Sequence, residues 1–185
     1  MALILWIDPG IRRCGYALIN TDKNIIVDAG VLINEKESLE SYNKYLINDN
    51  KIVDAKSNGR NDRRMRLSRM YDTYHHLLQT IKPYEHEIAA IGIEQFYFMT
   101  RTQQHAEFLY GLRWSLVMHA IEHNRSVYDI WPTEMKKYIT WRGWSKKKSI
   151  HTMVMALFGL TSQPKYADIS DALGIAYVTS KMTEK

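Results

Sequence analysis

Four carboxylates in this sequence stand where burial would make them unfavourable. Asp8 ends the apolar run Leu3-Ile4-Leu5-Trp6-Ile7 and is followed by the turn Pro9-Gly10. Glu94 ends a second short run, Ile91-Gly92-Ile93. Asp168 and Asp171 are three apart, a spacing that puts both side chains on one face of a helix, ahead of Ala172, Leu173, Ile175 and Ala176. A half-buried carboxylate must be paired or neutralised by a cation. Taken singly, a strand-end acid is a turn residue and Asp168 is a helix N-cap. Taken together, the four point to an acidic metal site. Carboxylate oxygens suit Mg²⁺ or Mn²⁺, and a bound divalent ion relieves the repulsion among clustered acids.

The charge distribution names the partner. The chain carries 25 Lys and Arg against 20 Asp and Glu, a formal net charge of +5. Two segments hold the positive charge. From Lys56 to Arg69 six bases face one acid, and from Lys136 to Lys148 six bases face none, so the rest of the chain is net negative. Two concentrated basic blocks on a mildly acidic body make nucleic acid the expected partner. Carboxylate-held metal facing phosphate matches two-metal phosphodiester hydrolysis, with ions roughly 3.5–4 Å apart.

Positioning these acids requires a sheet with helices around it. Leu3 to Ile7 is short and apolar enough for a buried strand, and Cys14 to Asn20 and Asn24 to Asn34 follow it as two further strands joined by tight turns. Leu67, Met70, Tyr71, Tyr74, Leu78 and Ile81 recur at helical spacing up to Pro83. Ile88 to Glu94 is a strand, Phe108 to Ile121 a long amphipathic helix, and Ser126 to Ile130 another strand. Ser145 is a candidate N-cap for a helix with Ile150, Met153, Val154, Leu157 and Phe158 on its apolar face, and a last helix spans Ile169 to Lys181. The order βββ-α-β-α-β-α-α predicts an α/β domain with a mixed sheet, antiparallel over its first three strands and parallel beyond, flanked by helices.

At 185 residues the chain suits one domain, 1–185, with an extended polar stretch at about 35–66 as an insertion. No run of eighteen apolar residues is present, and the N-terminal apolar run is too short for a signal peptide, so a cytoplasmic protein without a membrane partner is expected. The single cysteine, Cys14, excludes an intrachain disulfide or a multi-cysteine zinc site and reads as a small buried thiol. The spacing of His75, His76, His105, His119, His123 and His151 gives no metal motif.

These motifs resemble a known family. Ile7-Asp8-Pro9-Gly10-Ile11-Arg12-Arg13-Cys14-Gly15-Tyr16-Ala17 resembles the opening motif of the RuvC Holliday junction resolvases, and Ile93-Glu94-Gln95 their second acidic motif. Pro132-Thr133-Glu134-Met135-Lys136-Lys137, then Lys146-Lys147-Lys148 and His151-Thr152-Met153-Val154, resemble their basic segment. Asp168-Ile169-Ser170-Asp171-Ala172-Leu173-Gly174-Ile175-Ala176 is similar to their closing acidic motif. The matches keep the family's order from residue 3 to about 178.

The resemblance implies an RNase H-like fold and a homodimer that places two active sites on a four-way junction. It also implies Mg²⁺-dependent symmetric nicking that leaves 5′-phosphates, in DNA recombination and repair. It makes Asp8, Glu94, Asp168 and Asp171 the metal ligands, holding two ions per site, and Lys136 or Lys137 with one of Lys146, Lys147 and Lys148 the phosphate contacts. Arg12 and Arg13 of the opening motif join the DNA-binding set. An aromatic after the second acid would stack on bases, with Phe96, Tyr97 and Phe98 all available. Arg60, Arg63, Arg64 and Arg66 make the insertion a further DNA-binding candidate. Trp131, Trp141 and Trp144 flank the second basic block, where stacking on DNA and core packing are both open. The helix face from Leu112 to Ile121 is either core or dimer interface. A compact, divergent sequence of this kind suits a phage-encoded or organellar relative, acting in a bacterial or phage-infected cell. The alternatives are a less selective nuclease for forks, flaps and three-way junctions, a junction-binding protein without catalysis, and an actin-like ATPase opening on the same strand-Asp-x-Gly turn.

Overall fold

Alternation along the first strand, β1 (Leu3–Asp8), decides which way each layer of the molecule faces. Successive side chains of a strand point to opposite faces. Leu3, Leu5 and Ile7 belong to one buried cluster, whereas Ile4 and Trp6 belong to another on the opposite side. The computed structural model describes residues 3–10, 12–33, 58–96, 103–143, 145–162, 164 and 167–183.

Five strands form one sheet in the order β3-β2-β1-β4-β5. Strands β2 (Arg13–Asn20) and β3 (Ile25–Ile33) continue antiparallel from β1, while β4 (Ile88–Glu94) lies parallel to β1 and β5 (Ser126–Ile130) parallel to β4. This is the mixed sheet expected of an RNase H-like fold. The continuous apolar runs of β1 and β4 follow from their central place, covered on both faces.

Helices α1 (Asn58–Ile81) and α2 (Gln103–Glu122) cover one face, with Leu77, Ile81, Leu112, Leu116 and Ala120 packed on Leu5, Ile7, Leu18 and Ile91. Helices α3 (Pro132–Thr140), α4 (Lys147–Leu157) and α5 (Ala167–Thr183) cover the other, with Met135, Ile139, Val154, Leu173 and Ala176 packed on Ile4, Trp6, Ala17 and Ile19. Gly92 makes this second layer possible. A Cβ there would meet Trp6 at 2.2 Å and the Thr179 hydroxyl at 2.6 Å, so α5 can lie against the sheet only where that side chain is missing.

Four sequence expectations change. Helix α1 begins at Asn58, not near Leu67, so Asn58 and Gly59 of the turn signal open a helix and the basic residues after them are helical. Residues 35–57 of the expected insertion lie outside the described residues, as does Asn34, the expected end of the third strand. Helix α3 was not expected; it places only Met135 and Ile139 in the core, too few apolar positions to show a period, and starts on Pro132, whose fixed φ suits a first turn. Ser145 does not cap α4. That position is Lys146, and the Ser145 hydroxyl instead donates to the Arg142 carbonyl at 3.0 Å. Asp168 lies within the first turn of α5 and not at its cap.

Candidate active site

The period of two that splits the layers also delivers the acids. Asp8 follows Ile4 and Trp6 on the face covered by α5, and Glu94 follows Ala90 and Gly92 on the same face of the neighbouring parallel strand. Helix α5 starts above them and carries Asp168 and Asp171 in its first turns. The four carboxylates line one cavity of ≈ 160 Å³, with Pro132, Met135 and Lys136 of α3 and Ile150 of α4 completing the wall. All four acids singled out by the sequence therefore meet.

Gly15 sets how closely they meet. It pairs with Asp8 across the antiparallel ladder. A Cβ at Gly15 would stand 2.8 Å from the Asp168 carbonyl oxygen, inside any real contact distance. The bare backbone at this point lets the start of α5 press on the strand pair beside Asp8. Sequence reasoning quoted Gly15 as part of a motif without seeing this role.

The surroundings of the cavity are in part cationic. Lys136 is half-buried in its wall, and Lys137 beside it is exposed. Lys146 and Lys148 are exposed at the start of α4, while the Lys147 side chain lies outside the described residues. Arg12 and Arg13 are exposed beyond the β1–β2 turn. Arg12 acts electrostatically on the buried Arg69 of α1, whose guanidinium is lowered first by burial and then by that like charge. Arg66 lies over the Phe108 ring at 5.8 Å; the side chains of Arg60, Arg63 and Arg64 lie outside the described residues. Phe96 follows the second acid and packs on Tyr110 of α2 with ring centroids 4.6 Å apart. Tyr97 and Phe98 lie outside the described residues.

Cys14 is fully buried, and burial, with the Asp8 carboxylate adding, pushes its thiol up to about 12. It is an inert packing residue at neutral pH.

The histidines correct the sequence expectation. Glu85, His119 and His123, far apart or unremarkable in sequence, bring their donor atoms within 4.8 Å of one another, a group that could hold a metal ion. It is not the acidic site. Glu85 precedes β4 and Glu94 ends it, so the two lie at opposite ends of the sheet, roughly 20 Å apart at about 3.3 Å per residue. The buried Arg125 already brings positive charge to this group. It donates to the Glu85 carbonyl oxygen at 2.7 Å and stands 3.7 Å from the carboxylate and 3.4 Å from His119 Nε2.

Comparison with known proteins bears on this site. The family model described as crossover junction endodeoxyribonuclease RuvC matches residues 42–179. Relatives of that name include one from Alkaliphilus metalliredigens, 26% identical over 94% of this chain and 90% of its own length. Another, from Fusobacterium nucleatum, is 30% identical over 93% of this chain and 76% of its own. Among solved structures, T. thermophilus RuvC in complex with a Holliday junction substrate superposes with a TM-score of 0.71, covering 100% of this chain and 96% of the other at 17% identity.

Proposed function

The chain belongs to the RuvC family of crossover junction endodeoxyribonucleases, and on that premise we propose that it resolves Holliday junctions by paired symmetric nicks leaving 5′-phosphates. One observation carries the reading: four carboxylates from two strand ends and one helix share a cavity with a single lysine in its wall. That donor set, all hard oxygen, fits Mg²⁺ with Mn²⁺ as a substitute and does not favour zinc.

Asp8, Glu94, Asp168 and Asp171 would hold the metal, two ions per active site. Bound there, the ions supply an activated water and neutralise charge at the leaving oxygen. The chain's own part is positioning. The central strands hold Asp8 and Glu94 rigidly, and α5, seated on Gly15, holds the two late aspartates over them. Lys136 presents its ammonium to the phosphate entering the cavity, while Lys137, Lys146, Lys147 and Lys148 contact flanking backbone phosphates. Arg12, Arg13 and the basic stretch of α1 extend the positive surface. Of the three aromatics after Glu94, Phe96 is the one among the described residues, where it packs on Tyr110, and one of the three would stack at the junction centre.

Resolution needs two active sites, and α2 offers the means to pair them. Its inner face, with Leu112, Leu116 and Ala120, is core. Its outer face leaves Tyr110, Trp114, Met118 and Ile121 exposed at helical spacing, with Trp114 57% and Ile121 56% accessible. An apolar stripe of this kind marks an interface, and a second copy of the chain is its occupant in this reading. The whole chain then acts as one nuclease domain in the cytoplasm; among the described residues no helix is long and apolar enough to cross a membrane.

The test is cleavage of a four-way junction labelled on each strand, with Mg²⁺. Nicks at symmetry-related positions are expected. Equal cutting of forks, flaps and three-way junctions, with linear duplex spared, would instead identify a less selective debranching nuclease. Trp114→Glu should convert the dimer to monomer in sedimentation; an unchanged dimer would move the interface elsewhere.

A further inference from the structure

Among the described residues three that are not glycine have positive φ: Asn24 at 51°, Asn124 at 54° and Trp141 at 62°. Asparagine occupies the left-handed region routinely, because its short polar side chain can bond locally. A tryptophan does not. At the end of a helix this conformation ordinarily belongs to glycine. Trp141 holds it at the end of α3 with its side chain outward, 87% exposed. The backbone is therefore strained by a residue that gains almost no packing within the chain in return.

The strain is also held firmly. The Thr140 hydroxyl donates to the Lys136 carbonyl at 2.7 Å and contacts the Ser145 hydroxyl, and the Ser145 backbone N–H donates to the Arg142 carbonyl at 3.3 Å. These bonds close the turn that displays the indole. The exposed cations Lys137, Arg142, Lys146 and Lys148 flank it in the sequence. Lys136, in the cavity wall, is five residues back along α3, or roughly 8 Å along the helix axis. An exposed aromatic within a basic segment, a little over one helical turn from a residue of the acidic cavity's wall, has the chemistry of a nucleobase platform.

We propose that Trp141 is a DNA-stacking residue, a second aromatic contact besides the one after Glu94, placed where an arm strand leaves the cavity across the basic turn. This rests on the junction-cleaving reading above. Strained backbone of this kind persists where function holds it.

The experiment compares the full-length chain with Trp141→Gly and Trp141→Phe. Glycine relieves the backbone strain while removing the ring, so stability and binding should move apart. Trp141→Gly should keep or raise Tm and weaken four-way junction binding about ten-fold. The slope of log affinity against log salt should stay that of wild type, because stacking releases no counterions, whereas Lys146→Ala should flatten it. Trp141→Phe should recover most of the binding. A Trp141→Gly protein that binds as wild type overturns the assignment, and one that melts lower overturns the premise that the ring packs on nothing within the chain. If wild type binds no junction at all, the functional reading fails with it; if wild type binds and Trp141→Gly binds equally, only the stacking role falls.

Discussion

The two ends of the sheet handle charge in opposite ways. At the end preceding β4, one carboxylate, Glu85, is met by Arg125 at 3.7 Å, His119 at 3.5 Å and His123 at 3.3 Å. Positive charge there comes from the chain itself, and the cluster ties the approach to β4 onto the end of α2. At the other end four carboxylates share a small cavity with Lys136. In the proposed reading a divalent cation would complete this all-oxygen donor set. The first arrangement stabilises a fold; the second is the one the proposed reading assigns to the reaction. The contrast explains why a group of histidines and an acid, the more familiar look of a metal site, is not the place to expect catalysis here.

Removing single acids from the cavity tests its role most sharply. Asp8→Asn and Glu94→Gln should each lower single-turnover cleavage with Mg²⁺ by more than about a hundred-fold, beyond what loss of a residue merely supporting a ligand causes. A variant that cuts at the wild-type rate would remove that residue from the site.

A smaller loss is expected at Gly15. Gly15→Ala puts a methyl 2.8 Å from the Asp168 carbonyl and forces α5 to shift. Stability should fall by about 1–3 kcal/mol, the usual range for overpacking. Cleavage should fall by more than the folded fraction does, because the shift moves Asp168 and Asp171 relative to Asp8. Activity that tracks the folded fraction alone would show the cavity tolerates the displacement.

The smallest effect belongs to the other end. Burial lowers His119 below its ordinary value of 6.5, reinforced by the charges of His123 and Arg125 and opposed by Glu85 and Glu122. The unfolded chain therefore takes up this proton more readily than the folded one. The corresponding stability is present above pH 6.5 and is lost as pH falls through the lowered folded value. His119→Gln should flatten that acid limb of the Tm–pH curve and leave junction cleavage at pH 8 unchanged. An unaltered acid limb would place the responsible group elsewhere.

The sequence alone determined the strands β1 and β4 and the acids at their ends, because an apolar run closed by a carboxylate is a local signal that no packing detail obscures. It likewise determined the helical repeat that sets Asp168 and Asp171 on one face, and the two basic blocks. Tertiary structure decided the rest. That Asp8 and Glu94 share a face with α5 follows from parallel pairing across β1 and β4, which joins residues as distant in sequence as Ile7 and Ile93. The long helix from Phe108 to Ile121 read as one apolar face, yet Ile121 is exposed and Leu112 buried, because only contact with the sheet divides inner from outer positions. Glu85, His119, His123 and Arg125 form a cluster through a turn and a helix end that no spacing rule connects. Trp141 was open between core and DNA until a backbone angle and an exposure placed it outside. Sequence carries the chemistry of single elements; which elements face one another, and which side chain is left over, depends on contacts between distant parts of the chain.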